Sequence, residues 1–150
     1  MPLSQELEYA YTAGLMDGEG TITLSRQGAS YRYRRPVVAI PSTTLELLTY
    51  MQDTFHGYLS KKKKTKERET PSQTWQLTND AAIKFLRLIT PYLKEPEKVR
   101  RATLILNEYK KLTLRNGRYN AEQRGLKLEF ERRFFEEGKK PNRQTENIRW

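Results

Sequence analysis

The 150-residue chain has no cysteine, one histidine and no apolar run of membrane-spanning length. Without thiols there are no disulfides, thiolate zinc sites or cysteine nucleophiles. The lone histidine, His56, excludes metal centres and nucleases built on several imidazoles, and leaves Ser-His-Asp hydrolysis a single candidate. A spanning helix takes roughly 20 consecutive apolar residues, and no stretch comes near that. Apolar residues are scarce throughout, at 36%. Leu, Ile, Val and Phe number 32 together, barely above the composition of chains that stay disordered. The expected core is thin, with a partner subunit completing it. The N-terminus is acidic, unlike a secretory signal, so the expectation is an intracellular protein with no membrane partner. A bacterial or archaeal cytoplasm and an organelle are all compatible.

What the chain has in excess is positive charge. Lys and Arg total 28 against 18 Asp and Glu, for a net +10. The charge is unevenly placed. Residues 1–20 hold Glu6, Glu8, Asp17 and Glu19 and no base. Residues 21–40 hold Arg26, Arg32, Arg34 and Arg35 and no acid, interleaved with Tyr31 and Tyr33. Residues 61–75 and 98–118 are again basic, the second carrying seven bases and one acid. Basic blocks around one acidic island suit a polyanion surface with a divalent-cation site within it.

Hydrophobic spacing predicts the elements. Residues 5–16 read as a helix, with Ser4 as N-cap and Leu7, Ala10, Tyr11, Gly14 and Leu15 on one face. Asp17-Gly-Glu-Gly20 ends it. Thr21–Ser25 alternates as a strand, and a turn leads to a second strand at 31–40, where Pro36 suggests an edge or bulge. Thr43-Thr-Leu-Glu46 reads as a capping box opening a helix with Leu47, Leu48, Met51 and Phe55. Strands follow at 57–64 and 74–78. Asn79 caps a helix carrying Ala82, Ile83, Leu86 and Ile89, and Pro96 starts the next. A last helix, about 121–137, carries Leu126, Phe130 and Phe134. The expected fold is α+β, with the order αββαββα, a four-stranded antiparallel sheet, helices on one face and extra C-terminal helices. One domain spans 1–137 and a polar tail 138–150. The other sheet face would present Thr23, Ser25, Gln27, Tyr33, Arg35, Lys62, Thr74 and Gln76. Such a face can lie in a major groove and meet base edges.

The acidic turn is the unusual feature. Asp17 and Glu19 stand at a helix C-terminus, where the macrodipole disfavours carboxylates. Bound Mg²⁺ would compensate, since it takes carboxylate oxygens, waters and phosphate oxygens. Small residues at Ala10, Ala13 and Gly14 would let a second helix approach closely, which would bring two Glu19 side chains together. A plain exposed turn with Asp17 as a local cap is the structural alternative.

The segment Thr12-Ala-Gly-Leu-Met-Asp-Gly-Glu-Gly20 resembles the nine-residue signature of the LAGLIDADG homing endonucleases. Ala13, Gly14, Leu15, Asp17 and Gly20 match, Glu19 replaces the second Asp, and Thr12 replaces the leading Leu. The pattern extends across about residues 5–113. The resemblance implies that Glu19, with Gly18 beside it, is the metal-binding position and that Asp17 caps the motif helix. It puts Gly14 where two motif helices meet, on the same face as the small residues Ala10 and Ala13. It makes Lys98 the active-site lysine, with Lys94 as the alternative. Ser42 occupies a position near the active-site waters where relatives carry Gln or Asn.

One motif per chain implies a homodimer on a pseudo-palindromic double-stranded DNA site, with Mg²⁺ as cofactor (Mn²⁺ or Ca²⁺ able to take the same place) and short 3′ overhangs as product. Members of such families also serve as non-catalytic binders, among them intron RNA maturases and transcription regulators. Another alternative is a Glu-x-Lys nuclease site at Glu108-Tyr-Lys110. The last is a basic interaction protein with no chemistry, for which affinity would be salt-sensitive and blind to sequence.

Overall fold

The computed structural model describes residues 3–60, 71–114 and 117–136. The predicted third strand beyond Ser60, Lys62 within it, and the tail from 138 lie outside these residues. The order of elements is α1 (Gln5–Glu19), β1 (Thr21–Ser25), β2 (Arg35–Ser42), α2 (Leu45–Phe55), β3 (Tyr58–Leu59), β4 (Gln73–Thr78), α3 (Asn79–Ile89) and α4 (Pro96–Leu104). A π-helical segment, Ile105–Tyr109, carries α4 on into α5 (Lys110–Leu112), and α6 (Ala121–Glu136) follows. No described helix is long and apolar enough to cross a membrane.

The strands form one antiparallel sheet in the order β1-β2-β4-β3. Alternation sends Ile22, Leu24, Val38, Ile40, Trp75 and Leu77 to one face, all of them buried. Against them pack Ala13 and Met16 of α1, Leu48 and Met51 of α2, and Ile83, Phe85, Leu86 and Ile89 of α3. Trp75 and Phe85 meet edge to face at 5.3 Å, and the Trp75 indole donates to the His56 carbonyl at 2.6 Å.

Local chemistry explains several boundaries. Ser4 Oγ accepts the Leu7 N–H at 3.4 Å, so α1 begins where the N-cap predicted. The helix runs on through the acidic turn to Glu19, three residues beyond the expected end. β2 starts at Arg35 rather than 31 and is a central strand. Pro36 is tolerated because the ladder to β4 begins only at Val37, so at Pro36 the strand pairs on one side, with Leu24 of β1. The capping box does not form. Thr44, not Thr43, is the N-cap, with no side-chain bond of its own, and Ser42 Oγ takes the Thr44 N–H at 3.0 Å. Between α2 and β3 the chain turns through His56 and Gly57, at φ 63° and 103°. A Cβ on Gly57 would sit 2.7 Å from the Gln76 carbonyl, so only glycine fits there.

The C-terminal helix packs differently from its expected pattern. Phe130 and Phe134 are buried as anticipated, but Leu126 is half exposed, and Lys127 and Glu131 go inward instead. The Lys127 ammonium lies 4.1 Å from the Tyr109 ring centroid and donates to Thr113 Oγ1. The Glu131 carboxylate accepts the Arg34 N–H at 2.9 Å. Arg133 binds Glu108 through two bonds, at 2.6 and 2.9 Å, and holds that carboxyl below the ordinary range. Arg100 donates to the Phe134 and Arg133 carbonyls at 2.7 and 3.2 Å, which satisfies the end of α6. Glu108 is thus a strut, and the Glu-x-Lys alternative loses its acid.

Two stability predictions follow from this packing. A Cβ on Gly20 would fall 2.5 Å from Met16 Sδ and 2.8 Å from Met16 Cα, whereas one on Gly18 meets nothing within 4 Å. Gly20→Ala is expected to destabilise the chain by about 1–3 kcal/mol in denaturant unfolding, and Gly18→Ala to leave it unchanged or up to about 1 kcal/mol more stable. Burial pushes the Lys127 amine down to about 8 from 10.5. Between those values the unfolded chain holds the proton more tightly, so stability should rise as pH climbs from about 8. Burial raises the Tyr109 phenol above its usual 10, so it does not counter that rise below pH 10. Lys127→Met should flatten the rise, read as unfolding midpoint against pH.

Candidate active site and nucleic-acid interface

The end of α1 is tied to the start of α4 by one side chain. Asp17 Oδ2 accepts the Lys94 N–H at 2.9 Å and Oδ1 the Glu95 N–H at 3.1 Å. Both amides belong to the short connection before α4, whose donors have no helical partner of their own. Glu95 then caps α4, taking the Glu97 and Lys98 N–H groups at 3.2 and 2.8 Å. The sequence reading took Pro96 as the first residue of this helix but missed Glu95. An acid directly before a proline that opens a helix is the signal that could have found it.

This docking places the two lysines differently. Lys94 gives Asp17 its backbone and leaves its side chain exposed. Lys98 is half-buried on the first turn of α4, and its Nζ donates to the Asp17 carbonyl at 2.7 Å. The side chain that reaches the motif is therefore that of Lys98. Glu97 on the same turn binds Arg100 at 2.8 Å and Arg101 at 2.9 Å, and Arg100 foremost holds its carboxyl below the ordinary range. Arg101 also donates to the Ile22 carbonyl of β1 at 2.9 Å. The strand that leaves the motif is thus anchored to the helix that carries Lys98.

Glu19 stands at the last position of α1, exposed, with no hydrogen-bond or ion-pair partner among the described residues. Its neighbour Gly18 is exposed too. Ser42 lies at the same end of the sheet, because Thr21 pairs with Ala39 and β2 runs three residues further. Its hydroxyl already accepts the Thr44 N–H, which gives it a part in opening α2. Among the described residues no three of His, Asp and Glu come together.

One residue expected on the small-residue face of α1 is elsewhere. Ala13 is fully buried in this chain's own core, where it packs beneath the sheet. Ala10 and Gly14 are exposed. Together with Leu3, Leu7 and Tyr11, at 53%, 56% and 46% exposure, they form an uncovered stripe along α1. A Cβ on Gly14 would meet nothing within 4 Å, so the chain's own packing does not require glycine there.

On the open face of the sheet, Thr23, Ser25, Arg35, Thr74 and Gln76 fall together as the alternation predicted. Gln27 and Tyr33 lie past the strands, in the β1–β2 connection, since β2 starts later than expected. Tyr33 stacks at a tilt on Tyr119, 4.9 Å between centroids. The sequence reading missed Val37, Ala39 and Pro41, which share the open face by the same alternation and make its middle apolar. The face is therefore a polar and basic margin around a smooth centre.

No family model matches the chain, and no curated protein is significantly similar to it. Solved structures are similar in shape. The archaeal intron-encoded homing endonuclease I-Vdi141I, complexed with DNA, has a TM-score of 0.59 at 13% identity, over 93% of this chain and 89% of that one. The homing endonuclease I-CvuI, in complex with its target, has a TM-score of 0.58 at 22% identity over 71% and 68%. The LAGLIDADG homing endonuclease I-GzeII, in complex with a DNA target, has a TM-score of 0.57 at 13% identity, over 82% of this chain and 43% of that one. With the sheet order and the docked motif helix, these likenesses give the chain the fold of the LAGLIDADG homing endonucleases.

Proposed function

We propose that the chain is a site-specific DNA endonuclease that works as a homodimer and hydrolyses phosphodiester bonds with Mg²⁺. The observation that carries this reading is that Glu19, exposed and unengaged among the described residues, lies two positions after Asp17, whose carbonyl anchors the Lys98 ammonium. A carboxylate at the negative end of a helix dipole, without a cation of its own, is suited to a hard divalent metal. Glu19, with the Gly18 carbonyl beside it, would hold that ion. When bound, Mg²⁺ supplies a polarised phosphoryl oxygen and an acidified water.

The chain's own residues do the rest. Asp17 is spent on two backbone amides and fixes where the helix ends. Lys98, held by the Asp17 carbonyl, offers positive charge to an anionic phosphate at that end. One chain brings one Glu19, and no other His, Asp or Glu cluster among the described residues adds to it. A second copy packed through Leu3, Leu7, Ala10 and Gly14 would bring the second acid and cover the apolar stripe. The open sheet face, with Thr23, Ser25, Arg35, Thr74 and Gln76, would read the target.

Glu19→Gln should abolish Mg²⁺-dependent plasmid cleavage at a site selected from a random DNA library, by roughly 10³-fold or more, while duplex binding in Ca²⁺ persists. Lys98→Met should lower cleavage by about 10²-fold with binding retained. Cutting that survives Glu19→Gln overturns the assignment. Binding with no cutting by the unmodified protein supports a non-catalytic nucleic-acid binder, such as an intron RNA maturase or a transcription regulator. Gly14→Arg should leave the circular dichroism spectrum intact yet shift the chain from dimer to monomer in sedimentation, with loss of double-strand cutting.

A further inference from the structure

The arginines of α4 and of the end of α6 are each matched to a carboxylate: Arg100 and Arg101 to Glu97, Arg132 to Glu129 and Glu136, Arg133 to Glu108. At the other end of the sheet the pattern reverses. Arg32, Arg35, Arg118 and Arg124 have no carboxylate partner among the described residues. They gather around the Tyr33–Tyr119 stack, which stands between two adjoining hollows. One, of about 290 Å³, is lined by Arg32, Arg118 and Arg124. The other, of about 350 Å³, is lined by Arg34, Arg35 and Lys127. Neither lining contains a carboxylate. Glu131 offsets Arg34 at 3.8 Å and faces Lys127, which leaves Arg32, Arg35, Arg118 and Arg124 uncompensated among the described residues; their mutual repulsion would be relieved by a bound polyanion.

The hollows are built rather than incidental. The Glu131 carboxylate grips the Arg34 amide and so pins the β1–β2 connection to α6. The Tyr33 hydroxyl and Arg35 Nε are buried without a hydrogen-bond partner. The hollows adjoin the Ser25–Arg35 end of the ladder, whereas Glu19 adjoins the Thr21 end. Along β1 that is about 14 Å, or roughly four base-pair steps of a duplex laid along the strand.

We infer that the two hollows seat neighbouring phosphates of the target duplex on its flank, away from the cut, so that residues 117–127 belong to the DNA interface and not to the chemistry. This inference rests on the endonuclease reading above and extends it past the end of the sheet, where Arg35 is shared by both surfaces. A phosphate contact positions the protein without reading bases, so its signature is in salt dependence.

The test is an anisotropy titration in Ca²⁺ with a labelled random-sequence duplex of about 30 base pairs, between about 50 and 200 mM salt. Removing two contacts by Arg118→Gln with Arg124→Gln should lower the slope of log affinity against log salt by about 1.8 in magnitude. The melting temperature should not change, since neither side chain has a partner among the described residues. Arg32→Gln should reproduce half of that effect, about 0.9, and carries the test if the double variant unfolds. Lys84→Gln with Arg87→Gln removes the same charge from exposed positions on α3, and should change the slope far less. Equal effects from both double variants, or an unchanged slope for Arg118→Gln with Arg124→Gln, overturn the flank site alone. Failure of the unmodified protein to bind the duplex overturns the endonuclease reading, and the flank site with it. A slope change seen only with single-stranded RNA overturns the assignment to duplex.

Discussion

Asp17 is the constraint on which the candidate site depends. Its two oxygens are committed to the Lys94 and Glu95 amides, which fixes the end of the motif helix against the beginning of α4. That single contact sets the position of Glu19, two residues further on, and of Lys98, whose ammonium returns to the Asp17 carbonyl. Charge-assisted hydrogen bonds to backbone amides are among the stronger ones a protein makes. The two acids of the turn therefore divide the work. One has both oxygens engaged in backbone contacts; the other is exposed and, among the described residues, unengaged.

The close approach at Gly20 serves the same end. The strand that leaves the motif passes so near Met16 that no side chain fits, and Arg101 then fastens that strand to α4 through the Ile22 carbonyl. The motif is held from before and from after, with Glu19 in the short span between the two anchors.

Much of this was legible in the sequence, for physical reasons that can be named. Strand alternation is a strict period of two, so the open face of β1 and β4 could be assigned from Thr23, Ser25, Thr74 and Gln76. The α3 pattern of Ala82, Ile83, Leu86 and Ile89 is a clean amphipathic period, and all four are buried. The start of β2 was not legible, because nothing local to residues 31–34 says that Glu131, almost a hundred positions away, takes the Arg34 amide. The burial of Lys127 was hidden for the same reason. A lysine on an amphipathic helix reads as a solvent-facing residue until the Tyr109 ring is known to lie under it. Of the site, the motif, its acids and Lys98 showed in sequence, but the capping role of Glu95 and the contact of Lys98 with the Asp17 carbonyl depended on how two distant helix ends meet.

The link between Asp17 and the α4 region spans nearly eighty positions of chain. Its consequence lies in the order of synthesis. A nascent polypeptide that has released only its first half already displays the nine-residue motif and its two acids, yet has neither the amides that receive Asp17 nor the amine that meets the Asp17 carbonyl. The constellation closes only after the sheet and α3 have left the ribosome. A chain that ends before Lys94 thus has the motif helix but none of the groups that anchor its end.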